Sequence, residues 1–290
     1  MLSSSILGLA CASYWYQNEL AHGLFIHLSN LLYTNTLMRL YRLQPYIFDI
    51  VVLGSTDAPL FRRSVNSMPA QFFATHVKNL CLSVSVEPED ATTILRVCRG
   101  VKNLAFWVDH LANPSARSHS LSLIATLHLH RLSTEITYYL DLIRSDSQQQ
   151  AWVQRLTHLD VIFGTHGPED GQEGPSPQTV VPHLDQLPRL THLGLRPSWT
   201  RPPVSKADLR AMLDAALSLV VLVIYDESGI GHERVSSVDR RVVYIPYPPN
   251  VILEWEGQAH GDEMSVWTKA EGLVRRHAAE QRGVYFCQDS

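Results

Sequence analysis

A six-residue pattern (apolar, two variable residues, apolar, one variable residue, apolar) returns along most of this chain and constrains its fold more than any other feature. It reads Val77-Lys-Asn-Leu-Cys-Leu82, Val101-Lys-Asn-Leu-Ala-Phe106, Ile124-Ala-Thr-Leu-His-Leu129, Leu156-Thr-His-Leu-Asp-Val161, Leu190-Thr-His-Leu-Gly-Leu195 and Leu219-Val-Val-Leu-Val-Ile224. The first residues (77, 101, 124, 156, 190, 219) lie 24, 23, 32, 34 and 29 positions apart. An apolar hexad returning at intervals of about 20 to 30 residues marks a leucine-rich solenoid, in which each repeat buries its apolar side only against its neighbours.

Between hexads the apolar period changes from two to 3.6. Ala91, Ile94, Leu95 and Cys98 form a helical stripe between Pro88 and Gly100. The stripe recurs as Ile136, Tyr139, Leu140, Ile143 and as Leu209, Met212, Leu213, Ala216, the latter introduced by Ser205 and Asp208 in capping-box spacing. The expected fold class is α/β: an irregular leucine-rich-repeat solenoid of parallel strands, helices on its convex side, and a cap at each end.

Three segments follow. Residues 1–44 read as a helical amino-terminal segment, 45–227 as the solenoid and 228–290 as a carboxy-terminal cap. Ile47-Phe-Asp-Ile-Val-Val52 fits the hexad 30 residues before Val77 (77 − 47) and is expected to be the first strand, followed by a helix over 58–65 with Asp57 as its N-cap. In the cap, 242–245 and 251–255 read as strands that extend the sheet, and 262–281 as an amphipathic helix that closes its end through Trp267. Residues 164–177, rich in Gly, Pro and acid, read as a mobile surface insertion, and 196–203 as a loop with Trp199 tucked against the next helix.

Composition limits the partners. With 45% hydrophobic and 18% charged residues the chain can supply a packed core. A formal net charge of −4, with basic clusters no longer than Arg240-Arg241 and Arg275-Arg276, argues against nucleic acid. The longest apolar runs, 6–16 and 215–225, are too short to cross a bilayer, so no membrane partner is expected. Met1 to Ser13 mimics a secretory signal but carries no positive charge before its apolar core, and the four cysteines have no CxxC spacing. A cytoplasmic or nuclear location is expected.

The hexads, together with Leu43-Gln-Pro-Tyr-Ile-Phe-Asp-Ile-Val-Val-Leu53, Phe72-Phe-Ala-Thr-His-Val-Lys-Asn-Leu-Cys-Leu82 and Trp267-Thr-Lys-Ala-Glu271, resemble the leucine-rich arm of fungal F-box-like proteins over residues 41–280. The resemblance implies a substrate-binding arm of a ubiquitin ligase receptor, and a Skp1-type adaptor as partner. The F-box module itself is not recognisable: Glu19 to Leu28 shares only a faint likeness with its first helix. The hexads also lack the Asn or Cys that ordinarily follows three residues later, with Ser85 and Asp109 there instead.

In such a repeat the third, fifth and seventh residues counted from the hexad start face the open concave side. That places Trp107, His128, His130, His158, Asp160, His192, Arg196 and Tyr225 on one face as candidate protein-binding residues. His158 is expected beside His192, and His128 beside Asp160. Asn79 and Asn103 either order backbone turns or bind; Trp107 either anchors a partner or lies under the loop over 109–119. The histidines match no zinc motif, and no GxSxG, Walker A or GxGxxG sequence is present, so no catalytic residue, cofactor or metal is expected. The expected function is recognition of a protein, which the sequence does not identify, through the concave face. The alternatives are a stand-alone leucine-rich-repeat scaffold unrelated to ubiquitin, and a metal-dependent hydrolase using His128, His158 and His192.

Overall fold

The computed structural model describes residues 48–110, 113–144, 152–163, 179–197, 204–226, 239–261 and 265–281. The chain forms two compact units, 1–48 and 49–290. The expected segment 1–44, the insertion 164–177 and Trp199 lie outside the described residues.

In the second unit eight strands form one sheet: β1 (Ile50–Leu53), β2 (Asn79–Leu82), β3 (Asn103–Phe106), β4 (Arg131–Glu135), β5 (His158–Ile162), β6 (His192–Arg196), β7 (Val221–Asp226) and β8 (Val242–Pro246). They lie in sequence order and every pairing is parallel. Parallel neighbours need a crossover between them. Here the crossovers are α1 (Asp57–Ser67) with α2 (Ala70–His76), α3 (Pro88–Val97), α4 (Pro114–Ala125), α5 (Ile136–Arg144), a 3-10 turn (Val181–Gln186) and α6 (Lys206–Ala215). After β8 come α7 (Val251–His260) and α8 (Val266–Gln281).

Local chemistry explains the boundaries. Pro88 and Pro114 sit in the first turns of α3 and α4, where a missing N–H costs nothing. Ser205 and Asp208 form the expected capping box: Ser205 Oγ accepts from Asp208 N at 3.1 Å, and Ser205 N donates to Asp208 Oδ2 at 3.3 Å. Before α1, Thr56 and not Asp57 is the N-cap, without a side-chain bond, and Asp57 begins the helix itself.

The register corrects two repeat frames. Ile50 pairs with Asn79, so the first hexad begins at Phe48, one residue later than Ile47. In the fourth repeat Leu104 pairs with Leu132, so the frame begins at Leu129 and not at Ile124, which instead lies near the end of α4. The sixth position of this frame is a polar residue, Thr134, fully buried. Its hydroxyl donates to Phe106 O at 3.1 Å, so the residue satisfies itself within the sheet. A pattern that demands an apolar residue there passes over the true frame.

Fourth and sixth hexad residues fill the core on the crossover side: Leu80, Leu82, Leu104, Phe106, Leu159, Val161, Leu193 and Leu195 are wholly buried. With a side-chain period of two, third and fifth residues face the other way.

That second face is covered by the carboxy-terminal segment, which differs from the expected end cap. Only Val242–Pro246 extends the sheet. Residues 251–255, expected as a strand, begin α7. Asn250 caps it, accepting from Ile252 N at 2.9 Å and Leu253 N at 3.1 Å, and Gly261 stops it at φ 73°, a conformation that favours glycine. The two caps outweigh the β-branched start of Val251-Ile-Leu. Trp255 of α7 then packs with Cys81, Ala105, Ile50 and Val52, while Val266, Trp267 and Ala270 of α8 pack with Val221, Val223, Tyr225 and Val243.

Candidate functional site

The covered face carries three rows of side chains across the strands. The third-position row is Asn79, Asn103, Arg131, His158, His192 and Val221; the fifth is Cys81, Ala105, Ser133, Asp160, Gly194 and Val223. The row beyond includes Trp107, Arg196 and Tyr225. The fifth-position row is apolar at both ends and polar in its middle.

A directional chain of hydrogen bonds crosses the middle from β3 to β7. Trp107 Nε1 donates to Ser133 Oγ at 3.0 Å, and Ser133 Oγ donates to Asp160 Oδ2 at 2.9 Å. From the other side Arg196 Nε donates to Asp160 Oδ2 at 2.8 Å and Oδ1 at 3.1 Å, and Arg196 Nη2 donates to Tyr225 Oη at 3.1 Å. Asp160 and Arg196 are buried, 7% and 2% exposed, so little solvent screens the pair. Burial works against the Arg196 charge, but the Asp160 carboxylate and the Tyr225 ring, 4.2 Å from the guanidinium carbon, more than offset it and hold the group protonated. Burial also pushes the Tyr225 phenol well above its usual range.

Gly194 makes room for this pair. A Cβ there would stand 2.8 Å from Asp160 Oδ1 and 3.1 Å from the Trp267 ring.

Beside the ion pair, the rings of His158 and His192 stack with centroids 4.2 Å apart and planes 4° from parallel. Trp267 meets both edge-on at 5.4 and 5.5 Å. Thr157 Oγ1 lies 2.9 Å from His158 Nδ1, Thr191 Oγ1 2.8 Å from His192 Nδ1, and His192 Nε2 is 3.1 Å from Glu271 Oε1. Burial, with the neighbouring His192 and Arg131, pushes His158 down to about 2, so it is neutral. Burial lowers His192 as well, with Glu271 opposing. If neutral His192 donates from Nε2–H to Glu271, Nδ1 can accept from Thr191 only when that hydroxyl gives up Thr157 O, 3.1 Å away.

Polar bonds also tie α7 to the sheet and to α8: Arg131 Nη1 donates to Gln258 O, and Trp267 Nε1 to Gln258 Oε1, both at 2.9 Å. Between Trp255, Trp267 and the sheet is a cavity of about 20 Å³, lined by Ser133, Asp160, His158 and Arg131. It has room for about one water, far below the ~300 Å³ or more of a small-molecule site.

The eight candidate residues thus divide. Trp107, His158, Asp160, His192, Arg196 and Tyr225 lie together on one face, but beneath α7 and α8 or beside them, four of them buried and Trp107 and His158 half-buried. The expected open face is therefore a packed interface. His128 and His130 lie elsewhere, exposed in the turn before β4. The shifted frame places Ser133, not His128, opposite Asp160, so the three-histidine arrangement is not formed. Among the described residues no group of three His, Cys, Asp or Glu side chains is placed to hold a metal, and no helix is long and apolar enough to cross a membrane. Asn79 does order backbone, donating to Asp49 O at 3.2 Å and accepting from Asn103 Nδ2. Sequence reasoning missed Ser133 because its frame was slipped. It missed Gln258 and Glu271 because nothing local links a helix residue to a strand about 80 to 130 positions earlier.

The chain matches no protein-family model and no curated protein.

Proposed function

We propose that this chain is a protein-recognition module built on a leucine-rich-repeat solenoid, a substrate-binding arm similar to those of F-box ubiquitin ligase receptors. The observation that carries the reading is the eight-stranded parallel sheet in strict sequence order, with a helix or 3-10 turn in each described crossover. Stacked repeats of this kind make a long, shallow surface, suited to macromolecules more than to small ligands. The small cavity against the inner face agrees with that.

The recognising surface is not the inner sheet face. Trp255 of α7 and Trp267 of α8 pack onto that face, and prising those helices away would strand the buried Asp160–Arg196 pair next to exposed apolar surface. Recognition belongs to the strand ends and the outer helices.

The reading is tested by immobilising the full chain and comparing proteins retained by the native and the heat-unfolded forms. One or a few proteins held saturably by the native form alone support recognition. Retention of nothing beyond what an unrelated folded protein holds would overturn it. If a Skp1-type adaptor is absent from the retained proteins while others are present, the stand-alone scaffold replaces the ligase arm.

A further inference from the structure

Because the strands are parallel, their amino-terminal ends share one edge of the sheet. A backbone ladder runs along it. Lys102 N donates to Lys78 O at 2.8 Å, His130 N to Lys102 O at 2.7 Å, Thr157 N to His130 O at 2.9 Å, Thr191 N to Thr157 O at 2.9 Å and Val220 N to Thr191 O at 2.8 Å. Neighbours on this ladder stand about 4.8 Å apart.

The edge is cationic. Lys102 and His130 are exposed, as are His128, Arg155 and Arg189, which stand two residues ahead of His130, Thr157 and Thr191. None of Lys102, Arg155 and Arg189 forms an ion pair among the described residues. His130 is held below its usual range by partial burial and by the positive charges of Lys102, Arg155, Arg189 and Arg131. At the β1 end the row stops at Asp49, which is bonded to Asn79. At the β7 end it runs into Leu217 and Val220, 86% and 47% exposed.

The fold does not need these cations, since backbone bonds and the Thr157 and Thr191 hydroxyls, donating to His130 O and Thr157 O at 3.0 and 3.1 Å, hold the ladder together, and crowded like charges weaken it. An anionic partner would relieve that repulsion. The apolar pair that continues the row would stay in water against a polynucleotide. A net charge of −4 on the whole chain also opposes a broad anionic surface such as a bilayer. A narrow segment escapes that repulsion by touching only the strip.

We infer that this edge docks an acidic protein segment lying extended across the strand ends, its carboxylates over Lys102, Arg155 and Arg189 and an apolar side chain over Leu217 and Val220. The inference rests on the recognition reading above and names its surface and partner chemistry.

The test uses the full chain and fluorescein-labelled peptides of alternating glutamate and glycine with a leucine pair at either end, followed by anisotropy. Saturable binding is expected, weakened about tenfold or more in the Lys102→Glu, Arg155→Glu, Arg189→Glu triple variant and by raising salt to about 1 M. Leu217→Ser should weaken it less. These side chains are exposed, so an unchanged circular dichroism spectrum should accompany the loss; the milder Lys102→Gln, Arg189→Gln variant gives a partial loss if the triple variant misfolds. No saturable binding, equal binding by a folded triple variant, or tighter binding of a single-stranded oligonucleotide or phosphatidylserine vesicles would overturn the inference. A captured partner held equally well by native chain and triple variant leaves recognition standing and removes the strip; peptide binding with the stated charge dependence, but no captured protein, does the reverse.

Discussion

His158 and His192, 34 residues apart in the chain (192 − 158), lie face to face at 4.2 Å under the edge of Trp267, with Glu271 closing the far side of His192. Two imidazolium rings cannot share that geometry without strong repulsion. The folded chain therefore resists protonation that the unfolded chain accepts near pH 6.5.

Stability should accordingly be complete above about pH 6.5 and fall as pH drops toward His158's value of about 2. Each histidine kept neutral contributes a slope of up to about 1.4 kcal/mol per pH unit in that window. Urea unfolding at a series of pH values measures it, and a His158→Phe variant should show the shallower profile. Equal slopes for the two proteins would place the acid sensitivity in the carboxylates instead.

Removing one partner of the buried pair should cost more than removing both. Arg196→Met leaves Asp160 charged, with Ser133 alone to satisfy it, and should destabilise the chain by about 3 to 5 kcal/mol. Adding Asp160→Leu should recover a large part of that. Denaturant midpoints of the two single variants and the double variant decide it; simple additivity would mean that the pair is not coupled.

Gly194→Ala places a methyl 2.8 Å from Asp160 Oδ1, an atom that Arg196 holds in place, and 3.1 Å from Trp267. Neither neighbour can retreat freely, so a loss of about 1 to 3 kcal/mol is expected in thermal unfolding. An unchanged midpoint would show that α8 can move outward at little cost.

Thiol reactivity can report on the cover over the inner face. Cys81 lies beneath Trp255, and Cys98 belongs to the crossover side; both are wholly buried, and burial pushes the Cys98 thiol up to about 12. In a background with Cys11 and Cys287 replaced by serine, neither should react with a thiol reagent in the native state. Trp255→Ala should open Cys81 selectively, and mass mapping of the labelled cysteine checks this. Labelling of both thiols together would indicate global unfolding.

Much of the fold was legible because a parallel repeat is a local rule used again and again. Apolar hexads mark strands, 3.6-period stripes mark crossovers, and Ser205 with Asp208 marks a helix start, all within a few residues of chain. The frame failed where a buried hydroxyl, Thr134, replaced an apolar side chain, since hydrogen bonding to Phe106 O is invisible to a hydropathy pattern. The neighbourhood of His158 and His192 was also within reach, because equal positions in successive hexads become neighbours. What covers them was not. Whether an amphipathic segment closes the end of a sheet or folds across its face depends on which surface fits it. Here Trp255 fits the small residues Cys81 and Ala105, and Trp267 fits the space left by Gly194, positions contributed by separate strands. The cationic edge has the same origin: Lys102, Arg155 and Arg189 are isolated in sequence, and only the parallel stacking of strand ends joins their fields.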